Sequence, residues 1–425
     1  GSTVSLKGLD SEGQGECAVF PHTKAAPEAE NPERRTEKKK ETEKTMMRPM
    51  KLAGSELMFG EGCLAYIKTM PYRKVSIVIG GSSMIKSGIL DKVKAYFAES
   101  GAETMVISGV EPDPHFATVK RGAEEMKGFG PDLIVALGGG SVMDAAKTMW
   151  IYYEHPELEK LSDIFPPNAF PKLREKARFC CIPSTSGTAS EVSRSVVITD
   201  EDGMKQGLGN MEMMPDIAIC DPEVTASMPP HITAETGMDA LTHALEALVS
   251  RRANYLSNIL AVSAAQDIMK WLPAAYENGQ DLKAREIMVN ASMVAGMAFT
   301  NVSLGIVHSM AHTLGSYFHI AHGLADAILL PYIMEFNSQA DYAKKIYEDF
   351  AASMGSGDLA ESVRELNRKV GIPGALKDVI TEEDRFMELL DDMAKAAAAD
   401  GCTKTNPIIP DGDQFKALFV KAYRG

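Results

Sequence analysis

The chain has 425 residues, 45% hydrophobic and 24% charged, with a formal net charge of −14. That make-up is typical of a globular protein too long for one hydrophobic core, so two domains are expected. The acidic balance argues against nucleic acid or an anionic membrane as partner, and no apolar run approaches the ~20 residues that span a bilayer.

Residues 1–50 differ from the rest. Gly1-Ser2 reads as the remnant of an expression tag, and the charged run 31–45 as a disordered arm or exposed helix. The run has no apolar stretch of the secretory kind and too many acids for a transit peptide. Six scattered cysteines form neither a disulfide framework nor a C-x-x-C pattern, which suits a reducing cytoplasm. The 25 methionines are read as core filler.

From Lys74 short apolar runs alternate with amphipathic stretches. Strands are predicted at 75–81, 103–110 and 132–137, and helices at 85–99 and from the turn 111–114 through Lys127. This alternation indicates βαβ units and a parallel sheet. The third strand enters Gly138-Gly139-Gly140-Ser141 and then a helix. A glycine turn there lets backbone amides approach a phosphate at the positive helix end, although the spacing is not G-x-G-x-x-G and a plain tight turn fits as well. The segment 182–199 reads as strand, a loop dense in Ser, Thr and Gly, and strand. Its hydroxyls suit phosphate or ribose, and Lys205 just beyond adds a cation. After Asp216–Pro222 helical periodicity takes over, with helices predicted at 231–250, 257–277, 282–300, 340–352, 359–370 and 415–423, and a loop at 405–414. An α/β region (51–230) is therefore expected to precede an all-helical one (231–425).

Four of the nine histidines, His308, His312, His319 and His322, fall within Gly305–Gly323. Upstream, Asp239 and His243 lie four apart on one predicted helix. With His308 and His322 they offer one oxygen and three nitrogen donors, a mixture that suits Fe2+ or Zn2+. His312, one turn after His308, fits a fifth ligand, a supporting group or a proton carrier. His319 has no partner at helical spacing and is read as structural.

GMDALTHALEA (237–247), GIVHSMAHTLG (305–315), HGLADAILLP (322–331), GGGSVMDAAK (138–147) and PSTSGTASEVS (183–193) together resemble the iron-dependent alcohol dehydrogenase family, from about Leu52 to Gly425. The resemblance implies a nucleotide-binding α/β domain, an all-α metal-binding domain of the dehydroquinate synthase-like kind, and catalysis between them. It implies metal ligation by Asp239, His243, His308 and His322, with His312 near the nicotinamide as proton carrier. Gly139, Gly140 and Ser141 would receive the diphosphate, with Asp144, Thr185, Thr188, Ser195 and Lys205 as further cofactor-binding residues. Ser195 stands where some relatives carry Asn, and so does Asp113. Phe299 and Leu304 would line an apolar substrate pocket. Gly81 falls where NAD-preferring relatives carry an Asp that bonds the ribose 2′-OH. Its lack of charge, with Ser82 and Ser83 beside it, permits NADP(H) without excluding NAD(H).

The expected reaction is reversible hydride transfer between NAD(P)H and a small aldehyde, at a bound Fe2+ or Zn2+ that stabilises the developing alkoxide. A homodimer is implied by the resemblance. The alternatives are a polyol dehydrogenase of the glycerol dehydrogenase type, another zinc enzyme of the same fold, and a structural or assembly module.

Overall fold

The runs Lys74–Val78 (β2), Leu133–Gly138 (β4), Arg178–Pro183 (β5) and Ile217–Cys220 (β8) are apolar on both faces and almost wholly buried. Strands of that kind suit the middle of a parallel sheet covered by helices on both sides. The computed structural model, which describes residues 49–425, arranges them so. With Glu56–Phe59 (β1) and Glu103–Ile107 (β3) they form one six-stranded parallel sheet in the order β1-β8-β5-β4-β2-β3. The charged run 31–45 lies outside the described residues.

Helices Ser83–Lys86 (α1), Ile89–Glu99 (α2), Phe116–Phe129 (α3) and Gly140–Glu154 (α4) connect the first strands. The single helix expected over 85–99 is broken at Gly88, whose φ of 77° is left-handed. The chain steps from β2 outward to β3, then returns to place β4 on the other side of β2. The strand order therefore reverses between β2 and β4. In open parallel sheets a ligand crevice forms at that reversal, beyond the strands' C-terminal ends. The loop after β2 carries Gly81, and the loop after β4 carries Gly139 and Gly140. Gly138 pairs with Pro183 at the last position of the β4–β5 register, so the PSTSGT loop leaves the sheet beside the glycine turn. Beyond it Ser195–Thr199 (β6) and Lys205–Gly209 (β7) form an antiparallel hairpin.

From Pro222 onward every described element is helical: Pro222–Thr225 (α5), Pro230–Val249 (α6), Tyr255–Glu277 (α7), Leu282–Val302 (α8), Ile306–Phe318 (α9) and His322–Asn337 (α10), then five more α-helices and two short 3-10 helices toward the C-terminus. The expected helices 231–250, 257–277 and 282–300 appear with ends shifted by one or two residues. Helix α6 is buried all round from Gly237 to Val249, as a central helix must be. Gly237 makes this possible, since a Cβ there would come within 2.4 Å of Leu272 Cδ1 on α7. Among those buried residues Asp239, His243 and Glu246 are charged or polar, and buried polar groups are the informative exceptions. Among the described residues no single helix is long and apolar enough to cross a membrane.

Candidate active site

The glycine turn owes its composition to what lies against it. A Cβ on Gly140 would meet Thr188 Cγ2 at 2.5 Å, and one on Gly139 would meet Thr185 Cγ2 at 3.2 Å. Two of the hydroxyl residues singled out in the sequence thus press on the turn. Asp144 joins the same arrangement: its oxygens accept from Ser190 Oγ (2.8 Å) and Val197 N (2.9 Å). Lys147, fully buried one turn on, donates to Ser190 Oγ (2.8 Å), Ser193 O (2.9 Å) and Ser195 O (3.3 Å). These bonds tie the Thr-rich loop and β6, which begins at Ser195, to the helix that follows the glycines.

Lys205 forms an ion pair with Asp113, Nζ to Oδ1 2.8 Å, and also reaches α9, where a Cβ on Gly315 would stand 3.4 Å from its Nζ. Gly81 and Ser82 are exposed at the mouth of the crevice, and a Cβ on Gly81 would meet nothing within 4 Å. The Thr-rich loop also reaches the helical region. Gly187 lies against Thr236 of α6, leaving 2.7 Å between an added Cβ and the Thr236 Cβ, and its carbonyl accepts from Ser292 Oγ of α8 (3.0 Å).

On the helical side the single stretch Gly305–Gly323 divides. Helix α9 ends at His319, exposed and left-handed (φ 54°), and α10 starts at His322. The turn brings His322 back to His308, ring centroids 5.2 Å apart. From α6, His243 stacks on His308 at 4.7 Å, and its Nε2 lies 3.3 Å from Asp239 Oδ1. Asp239 Oδ1 is also 3.6 Å from His308 Nε2 and 3.8 Å from His322 Nε2. The four residues read from the sequence as one ligand set are neighbours in space.

Three groups that the sequence reading missed complete the site. Glu246, seven residues after Asp239 on α6, accepts from His308 Nδ1 (2.6 Å) and from the Val307 amide (2.8 Å). Asn406 Oδ1 accepts from the Ile306 amide at 3.1 Å, so Glu246 and Asn406 both cap the start of α9. Gly305 permits this approach, since a Cβ there would stand 2.6 Å from Asn406 Oδ1 and 2.8 Å from Glu246 Oε1. Asp326, four residues after His322, is fully buried in the cluster, and one donor atom from each of Asp239, His308, His322 and Asp326 lies within 4.8 Å of every other. Asp400 accepts from His312 Nδ1 at 2.8 Å. The i,i+4 and i,i+7 spacings could have revealed Asp326 and Glu246. Nothing in the sequence signals Asp400, 88 positions from His312.

The electrostatics follow from burial against pairing. Burial alone would push His308 down, but Asp326, Glu246 and Asp239 outweigh it and hold its pKa well above the ordinary histidine value. Burial drives His243 down to about 4, against the pull of Asp239. Burial would raise Asp239, yet His243, His308 and His322 hold it below the usual carboxylate range. Asp326 moves the other way, raised by burial beyond what His308 offsets, with the Asp239 charge adding to the rise. Asp400 is held low because the His312 hydrogen bond and charge outweigh its burial.

A metal fits these residues on a direct observation. Asp239 Oδ1, His308 Nε2 and both Asp326 oxygens are buried without hydrogen-bond partners. Buried polar atoms left unpaired are costly, and here the orphans are lone-pair donors turned toward one another. His308 Nδ1 on Glu246 leaves Nε2 as the free donor, an arrangement in which a carboxylate orients a metal-binding imidazole. Beside the cluster His312 stacks on His322, centroids 5.2 Å apart, and Phe299 stacks on His243 at 4.3 Å. Phe299 and Leu304 are both buried.

Comparison with known proteins follows the same division. Residues 54–222 match the model for iron-containing alcohol dehydrogenase, and residues 233–423 match the C-terminal part of the Fe-containing alcohol dehydrogenase family. The chain is 45% identical over 378 residues to an NADPH-dependent butanol dehydrogenase of Clostridium saccharobutylicum, covering 87% of this chain and 97% of that protein. It is 37% identical to an alcohol dehydrogenase of Thermococcus barophilus, over 87% of this chain and 98% of the relative. The iron-containing alcohol dehydrogenase of Thermococcus thioreducens superimposes with a TM-score of 0.83 at 35% identity, over 89% of this chain and all of that one. A sulfoacetaldehyde reductase from Bifidobacterium kashiwanohense, solved with NAD+, gives 0.80 at 28% identity, over 89% of this chain and 99% of that one.

Proposed function

The chain belongs to the iron-containing alcohol dehydrogenase family and is an NAD(P)-linked alcohol–aldehyde oxidoreductase, and from that premise we propose that it reduces small apolar aldehydes with NADPH. Asp239, His243, His308 and His322 hold the metal. When bound, the ion supplies Lewis-acid polarisation of the carbonyl oxygen and the nicotinamide supplies the hydride. The observation that carries this reading is the set of unpaired buried donors, with Glu246 fixing the tautomer of His308.

The chain's own groups do the rest. Gly139, Gly140 and Ser141 open α4 and receive the cofactor diphosphate on their amides, where the helix end is positive. Thr185 and Thr188 flank the diphosphate, Asp144 positions their loop, and Ser195 and Lys205 border the ribose. His312 keeps its Nδ1 on Asp400, which leaves Nε2 to pass a proton to the product oxygen. Phe299 and Leu304 form an apolar wall that prefers a short alkyl chain and keeps water out. The boundary near residue 230 separates the cofactor region from the metal region.

NADPH is favoured because Gly81 has neither a carboxylate to repel a 2′-phosphate nor a neighbour to fill the space, while Ser82 and Ser83 offer hydroxyls. A homodimer is proposed on the exposed edge strand β1, where Phe59 is 59% exposed. A reducing cytoplasm suits the buried thiols Cys180, Cys181 and Cys220.

The test is aldehyde-dependent oxidation of NADPH and NADH by iron-loaded protein, using propanal and butanal. NADPH should be preferred by kcat/KM, and Gly81→Asp should cost NADPH about tenfold, roughly 1.4 kcal/mol, relative to NADH. No oxidation of either cofactor with any aldehyde would sink the proposal.

A further inference from the structure

The least satisfied group among the described residues is the Asp326 carboxylate. It is 0% exposed, and neither oxygen has a hydrogen-bond partner. Native proteins rarely leave a buried carboxylate in that condition. Its Oδ2 lies 3.2 Å from His322 Nε2 and 3.9 Å from His308 Nε2. The His308 proton that could have served it is committed, because Nδ1 is hydrogen-bonded to Glu246 at 2.6 Å. In the neutral imidazole, Nε2 then presents a lone pair to the oxygens of Asp239 and Asp326. Lone pairs facing one another at these distances repel unless a proton or a cation sits between them.

We propose that Asp326 is itself a metal ligand, a second carboxylate on the ion held by Asp239, His243, His308 and His322. The proposal rests on the reading of those residues as ligands. Its geometry is a matched pair of helices. Helix α6 presents Asp239 and His243 at i,i+4, helix α10 presents His322 and Asp326 at the same spacing, and His308 of α9 lies between them. Two hard oxygen donors added to imidazole nitrogens suit an ion that accepts five or six ligands, such as Fe2+ or Mn2+, better than the four-coordinate habit of Zn2+. Asp326 thereby takes part in choosing the metal.

The experiment measures Co2+ affinity by chelator competition in the full chain, for the wild type, Asp326→Asn, Asp326→Ala and, as a ligand control, His308→Ala. Thermal melts check that each variant is folded. A lost ligand should weaken Co2+ by more than about 100-fold, beyond the range expected of a supporting group. Loss of about 100-fold or less in both Asp326 variants, with His308→Ala emptied of metal, overturns the role of Asp326 and leaves the rest of the site standing. Failure of the wild type to bind any divalent ion overturns the underlying reading instead. A crystal structure of Fe2+-loaded wild type, grown without oxygen, decides without any substitution. An Asp326 oxygen at about 2.0–2.2 Å from the metal supports the proposal. One at hydrogen-bond distance, about 3 Å, overturns it.

Discussion

The turn Gly138–Ser141 and the stretch Gly305–Gly323 are built by opposite rules. The first offers backbone amides, and its side chains are absent so that Thr185 and Thr188 can close in. The second offers side chains, and its backbone serves only to aim them: α9 points His308 and His312, and the left-handed His319 turns the chain so that His322 faces back. A backbone-made site is damaged by added atoms, and a side-chain-made site by removed ones.

Four substitutions test that contrast. Asp239→Ala removes the oxygen that lies within 4 Å of three imidazoles. Bound iron, read by elemental analysis, should vanish, and kcat/KM should fall by roughly 1000-fold or more. Retained metal would show that the ligand set is wrong. Gly140→Ala works by addition, placing a Cβ 2.5 Å from Thr188 Cγ2. It should cost about 1–3 kcal/mol of stability and raise KM for the cofactor without emptying the metal. Thr188→Ala in the same chain should restore the melting temperature, and if it does not, the steric account fails.

Asp400→Asn should lower kcat by about 10–100-fold with iron content unchanged, because it disturbs the tautomer of His312 and not a ligand. Loss of iron would make Asp400 a structural support. The smallest effect is expected at Glu191, a buried acid of the Thr-rich loop whose pKa burial raises from 4.5 to about 7. Between those values the folded chain binds more protons than the unfolded one, so this residue's contribution is full below pH 4.5 and is lost as pH rises to 7. Glu191→Gln should therefore raise Tm by roughly 2–4 °C at pH 8, with the gain shrinking toward pH 5. An equal gain at both pH values would break the argument.

Much of this could be read beforehand, wherever spacing along one element carried the information. The alternation of β2, β3 and β4 and the pairs Asp239/His243 and His308/His312 are local patterns, and local patterns survive without coordinates. Strand β1 did not register, because four residues of which the first and last are exposed show no clear period. Helices Glu383–Glu388 and Leu390–Ala399 were missed because one is short and the next begins almost at once. Asp326 had the right spacing from His322, but an acid on a helix ordinarily faces water and draws no attention. Asp400 was beyond reach, since only the folded chain brings it to His312.

Glu246 has a consequence for how the chain folds. One of its oxygens holds the Val307 amide at the start of α9 and the other holds His308, so the secondary structure that starts the helix also sets the imidazole. Folding of the helix start and orientation of that ring are therefore one event.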